Sequence, residues 1–261
     1  MGSAFFFERT RLRKENLIHK PREKLQAAKE SKMRFEDMNW MQVEEYLKRD
    51  DRVILVLGAC EQHGYLSLLT DIRIPLALAE AASEETGVVV APPLNFGVSP
   101  YFLAYPGTIS LRLSTFIQVV EDMVRSLYGQ GFRRFLVLNG HGGNDSARAR
   151  LTELSNELDG LTAAWYAWWT TPTVARFAEA RGLLPEHASW MEAFSFTRVA
   201  PLPEGEKAPA PPTARLLNAV QTRQRNGDGM FGGVYQTDLK WMDELFGLCL
   251  ADVLPLLAFQ P

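Results

Sequence analysis

A three-layer α/β/α sandwich around a mostly parallel sheet is the fold class this sequence predicts, on three observations. Short strand-length runs are apolar at nearly every position, as in strands covered on both faces. They alternate with amphipathic stretches of helical length. Polar, glycine-containing segments follow the runs, where open α/β sheets form their ligand crevice.

Taken in order, Glu36 to Arg49 reads as a helix, with Met38, Met41, Val43, Tyr46 and Leu47 as its apolar stripe. Arg52 to Leu57 is a buried strand, ended by Gly58 and Ala59. Ile74 to Glu85 is the next helix and Gly87 to Ala91 the second strand. A helix over Ser114 to Tyr128 is capped by Ser114 and terminated by Gly129 and Gly131. Phe135 to Leu138 is the third strand, running into the glycine-rich Asn139 to Asn144. Asp145 to Leu158 is helical, and Leu161 to Trp169 is an aromatic strand with Trp165 and Trp169 on one face and Trp168 on the other. Pro201 to Pro212 reads as a surface loop, and Leu239 to Leu250 as the last helix.

Composition narrows the function. The 261 residues carry a net charge of −3, which excludes a polybasic nucleic-acid binder. Ten Lys and Arg fall within residues 1–34, so 1–33 is read as a basic extension and 34–261 as one domain. No segment has the length and apolarity of a membrane span. Two cysteines, Cys60 and Cys249, cannot build a disulfide framework or a thiolate cluster and suit a reducing, cytoplasmic setting.

Only four histidines occur: His19, His63, His141 and His187. Three of them fall on expected strand-end loops beside carboxylates or glycines. Glu61, His63 and Asp71 follow the first strand, His141 the third, and His187 and Glu192 lie beyond the aromatic strand. Imidazole and carboxylate suit a hard or borderline divalent ion, and several carboxylates can hold two. Each residue has a plainer alternative: a histidine can be a hydrogen-bonded structural group, and Asp71 can cap a helix. The Gly-His-Gly-Gly loop can also be read as a phosphate cradle, although no Walker lysine accompanies it.

Gly58-Ala59-Cys60-Glu61-Gln62-His63-Gly64, Thr70-Asp71, Pro106-Gly107-Thr108 and Asn139 to Asn144 together resemble the creatininase family. The resemblance runs from about Arg34 to the C-terminal helix. It implies a two-metal amidohydrolase, a small-molecule amide as substrate and a homo-oligomer, often a hexameric ring; carboxylate–imidazole sites accept zinc, manganese or iron alike. By position, it implies that Glu61 and His141 bind one metal, His63 the other, and that Asp71 bridges them. It further implies that Ser99 touches substrate and that His187 stands beside the scissile bond, with Glu192 five residues later.

The sequence departs from the family pattern at several points. Leu66 and Phe102 stand where many members carry histidine, and Gly142 and Gly143 replace an aromatic residue and a glutamate. Glu192 is the candidate substitute ligand, and creatinine itself is disfavoured as substrate. Trp169 and Trp190 are expected to wall the pocket against a planar substrate. Metal-assisted hydrolysis follows, with His187 donating a proton to the leaving nitrogen. Two other readings stand beside it: a non-catalytic metal- or ligand-binding member, and a hydrolase of a different bond.

Overall fold

The computed structural model describes residues 33–260. Residues 1–32, within the segment read from sequence as a basic extension, lie outside it, and His19 with them.

Four parallel strands form the sheet in the order β2-β1-β3-β4: β1 Arg52–Leu57, β2 Val89–Val90, β3 Arg134–Asn139 and β4 Thr162–Ala167. Burial on both faces explains the apolar runs. Ile54 and Val56 of β1 and Leu136 and Leu138 of β3 point into one core. Val53, Leu55, Leu57, Phe135 and Val137 point into the other.

Helices cover each face. Ile74, Leu78 and Ala82 recur every fourth residue on α2 (Thr70–Thr86), so one stripe meets the sheet. On this face α2 packs beside the C-terminal helix Leu239–Leu256. Opposite lie α1 (Trp40–Leu47), α3 (Leu113–Gln130) and α4 (Ser146–Glu157), which present Tyr46, Phe116, Val120, Val124, Leu151 and Leu154. Each such side chain, removed from water, contributes roughly 1.5–3 kcal/mol.

Strand order places the site. From β1 the chain passes through α2 to β2 on one side, then returns through α3 to β3 on the other side of β1. The reversal leaves a crevice between the carboxyl ends of β1 and β3, where Leu57 and Asn139 are in register.

Several element boundaries differ from the sequence reading. α2 starts at Thr70, which puts Asp71 in its first turn, and Pro75 lies inside it. The N-cap of α3 is Arg112, so Ser114 is internal. β4 ends at Ala167 and Trp168–Thr170 form a 3-10 turn. Strand alternation therefore fails for the tryptophans: Trp165 packs on one core, while Trp168 and Trp169 both belong to the other. Two short helices, α5 (Pro172–Glu179) and α6 (Ala219–Asn226), had not been read from the sequence. Within the expected 201–212 loop, β5 (Glu206–Lys207) pairs antiparallel with β6 (Gly233–Val234). The last helix, α7, continues to Leu256.

Candidate metal centre

Two loops meet at the crevice, and glycines let them close. Asn139 Nδ2 donates to the His141 carbonyl at 2.7 Å, and Asn139 Oδ1 accepts from the His141 amide at 3.2 Å, folding the chain back on itself. Asn144 Nδ2 donates to the Gly58 carbonyl, tying the β3 loop to the β1 loop. A Cβ on Gly140 would stand 1.9 Å from the Asp71 carbonyl oxygen, and one on Gly143 2.0 Å from that of Val98. No side chain fits at either place.

Within this frame, Glu61, His63, Asp71, His141 and Glu192 are all buried. Their ligand-type atoms fall into two triads, Glu61–Asp71–His141 and His63–Asp71–Glu192, each spanning no more than 4.8 Å. Asp71 is common to both. His63 Nε2 stands 2.9 Å from Asp71 Oδ1 and 3.9 Å from Glu192 Oε2. His141 Nδ1 stands 3.0 Å from Asp71 Oδ2 and 3.3 Å from Glu61 Oε1. Asp71 does not cap its helix: the N-cap is Leu69, with no side-chain bond.

Hydrogen bonds on the far side of each imidazole decide which nitrogen faces inward. His63 Nδ1 donates to the Glu61 carbonyl at 3.2 Å, leaving the Nε2 lone pair toward Asp71 and Glu192. His141 Nε2 donates to the Val98 carbonyl at 2.9 Å, leaving Nδ1 toward Glu61 and Asp71. Glu61 Oε2, His63 Nε2 and Asp71 Oδ2 are fully buried and have no aligned hydrogen-bond partner. These groups approach one another closely without an aligned hydrogen bond. Orphaned buried acceptors are costly in an empty protein and satisfied by a cation, so this donor set fits divalent metal.

The electrostatics agree with a site of concentrated charge. Burial pushes the Glu61 carboxyl up and raises that of Glu192 to about 7. Burial also opposes charge on Asp71 and His63, but their mutual attraction prevails, holding Asp71 well below the usual carboxylate range and raising His63 to about 10. Burial and the neighbouring His63 push His187 well below the ordinary imidazole value.

A cavity of about 710 Å³ opens above the triads, lined by Glu61, Asp71 and Glu192 as well as Phe102, Trp169 and His187. The His187 ring stacks on Phe102 at 4.9 Å and 24° and lies 4.4 Å from His63. Its Nε2 is 2.9 Å from the Gln62 side-chain nitrogen and 3.1 Å from the Gln62 carbonyl. Gln62 itself donates to the Gly229 carbonyl. Gln62 belongs to the Glu-Gln-His stretch singled out from the sequence, yet its part in holding His187 depends on a contact 125 residues away and had no local signal. Glu192 Oε2 accepts the Ala188 amide proton at 2.6 Å, and Ala188 takes a left-handed φ of 59° in doing so.

The two remaining expected substrate contacts lie apart from the cavity lining. Trp190 is wholly buried, stacks on Phe177 and donates its indole N–H to the Leu184 carbonyl, so it is a core residue rather than a pocket wall. Ser99 is also fully buried, behind the site, with Oγ 3.2 Å from His141 Nε2. Trp169 lines the cavity.

Comparison with known proteins widens the view. A 3-dehydro-scyllo-inosose hydrolase of Thermotoga maritima is 33% identical over 110 residues, 41% of this chain and 35% of that protein. A mycofactocin precursor peptide peptidase of Mycolicibacterium smegmatis is 35% identical over 120 residues, 43% of this chain and 48% of that protein. The matched segments thus span less than half of these relatives. Among solved structures, a manganese creatininase superposes with a TM-score of 0.74 at 22% identity, covering 88% of this chain and all of that one. A mutant creatininase of Zn-Zn type superposes at 0.73 and 22% identity, covering 87% and 98%. The family model described as creatininase, creatinine amidohydrolase, matches residues 36–257. With that match over nearly the whole described chain, the protein belongs to the creatininase family.

Proposed function

We propose that the protein is a metal-dependent amidohydrolase that cleaves a C–N amide bond of a small molecule, cyclic-amide or formamide in type. The observation that carries this reading is the pair of buried triads sharing Asp71, with three ligand-type atoms left without hydrogen bonds. Glu61, Asp71 and His141 would hold one divalent ion, and His63, Asp71 and Glu192 the other; solved relatives occur in manganese and Zn-Zn forms. Bound ions of this class polarise a carbonyl and make water nucleophilic near neutral pH.

The chain's own residues do the rest. His187 faces the same cavity as the triads, takes the proton given up by the attacking water and passes it to the departing nitrogen, ending in the protonation state in which it began. Gln62 and the Phe102 ring fix the plane of that imidazole. Trp169 offers a flat apolar wall to a planar substrate. Glu192 is steadied by the Ala188 amide, which stops its carboxylate from swinging into the cavity.

Release of amine from a panel of cyclic amides, formamides and short peptides, with metal content measured alongside, tests the reading. Turnover that is lost in His187→Ala while two ions remain bound supports it. Absence of bound divalent metal after reconstitution would overturn it. A second reading, hydrolysis of a bond other than an amide, is favoured by the inosose hydrolase relative, whose substrate name carries no amide. The same panel extended to lactones and cyclic ketones separates the two.

A further inference from the structure

The cavity has a second wall, chemically unlike its acidic floor. Helix α6 turns Thr222, Arg225 and Asn226 toward the cavity, the i, i+3, i+4 spacing of one helical face. Arg215, on the loop before it, lines the same space. Neither arginine has a carboxylate within ion-pair distance among the described residues. Arg225 uses one guanidinium N–H on the Pro211 carbonyl, which ties it to the loop and leaves its other donors unused there. The Arg215 side chain is exposed and forms no hydrogen bond among the described residues.

We infer that Arg215 and Arg225 recognise an anionic oxygen group, a carboxylate or a phosphate, on the substrate, at the end remote from the bond that is cleaved. Guanidinium forks match both groups in geometry and charge. A concave wall concentrates the field of two unpaired cations, so an anion entering the cavity is oriented with its neutral end toward the triads. Thr222 and Asn226, both buried and on the same helical face, supply uncharged hydrogen-bonding groups beside Arg225. The inference rests on the cavity being the substrate site proposed above, and it narrows the substrate to an amide bearing a negative charge.

Titration calorimetry on the full chain as purified, with succinate and separately with inorganic phosphate, tests it. The expected result is binding of at least one anion, weakened about fivefold or more by Arg215→Gln and by Arg225→Gln, with partial retention in Arg225→Lys. Binding of succinate alone identifies a carboxylate, and of phosphate alone a phosphate; either supports the inference. Arg148→Gln, on exposed α4 surface, leaves affinity unchanged. Arg215→Gln guards against loop collapse in the Arg225 variants, because its side chain holds no structural contact. Failure of the wild type to bind either anion, or equal binding by the Arg215→Gln/Arg225→Gln pair, overturns it. Metal content measured on the same samples keeps the outcomes distinct: missing ions would strike the hydrolase reading, whereas an arginine-dependent difference would stand.

Discussion

The floor and the wall of the cavity are built by opposite strategies. On the floor, the ligand-type residues follow a sheet strand closely, are pinned by a main-chain bond or, as Asp71 does, sit in the first turn of a helix, and the loops touch with no space for a Cβ. The wall, by contrast, is an eight-residue helix and an exposed loop, held by a few side-chain contacts to carbonyls. Rigid floors fix chemistry, since misplacing reacting groups by about 1 Å can cost 10²-fold in rate. Looser walls vary more freely, and they are where relatives with different substrates are expected to diverge.

The contrast breaks first at Asp71. Asp71→Asn should release both ions and reduce hydrolysis by at least about 10³-fold, whereas Glu61→Gln and Glu192→Gln should each release one. Metal analysis of the three variants reads the difference, and equal losses would dissolve the shared-ligand arrangement. The floor's tightness is next. Gly140→Ala should destabilise by about 1–3 kcal/mol or more from overpacking against the Asp71 carbonyl. Gly129→Ala, inside α3 with nothing within 4 Å of the added carbon, should instead stabilise by roughly 0.5–1 kcal/mol. Thermal melts compare them.

On the wall side, Lys207 ties down residues 226–230 by donating to the Asn226 and Met230 carbonyls and to Asp228. Lys207→Met should cost about 1–3 kcal/mol in chemical denaturation while leaving metal content unchanged. A loss of metal with that substitution would mean that wall and floor are one unit.

The smallest effect belongs to the opposite end of the sheet. Burial would raise the Asp50 carboxyl, but hydrogen bonds from Arg52 hold it below its ordinary value. A depressed carboxylate gives stability that is present above its unfolded pKa of about 3.9 and lost as pH falls through the lower folded value. Asp50→Asn should therefore flatten the acid limb of a stability–pH curve without touching the floor.

Much of this was legible in sequence, for identifiable reasons. β1 and β3 are apolar at nearly every position because both faces are covered, so their strand ends, and with them Glu61, His63 and His141, could be placed. β2 was harder to bound: it contains only Val89 and Val90, too short for any period to show. The start of α2 was hidden by Pro75, which reads as a helix opening when it stands inside one. Alternation misplaced Trp169 because β4 stops at Ala167 and the chain turns. Trp190 misled for another reason: an indole near the expected active-site segment is indistinguishable in sequence from one whose N–H is satisfied in the core. The wall lay beyond reach altogether, since nothing local in Thr222, Arg225 or Asn226 says which hollow their helix face will meet.

Pro75 has one more consequence. It has no N–H to return to the Asp71 carbonyl four residues earlier, and that oxygen lies instead against Gly58 and Gly140 at the ends of β1 and β3. The first turn of α2 is thus seated on the sheet rather than closed on itself. Fraying of that turn must lift it off the two central strands, an event that belongs to global opening rather than local breathing. Amide protons around Asp71 should accordingly exchange as slowly as those of β1 and β3, although helix starts are ordinarily among the first places to exchange.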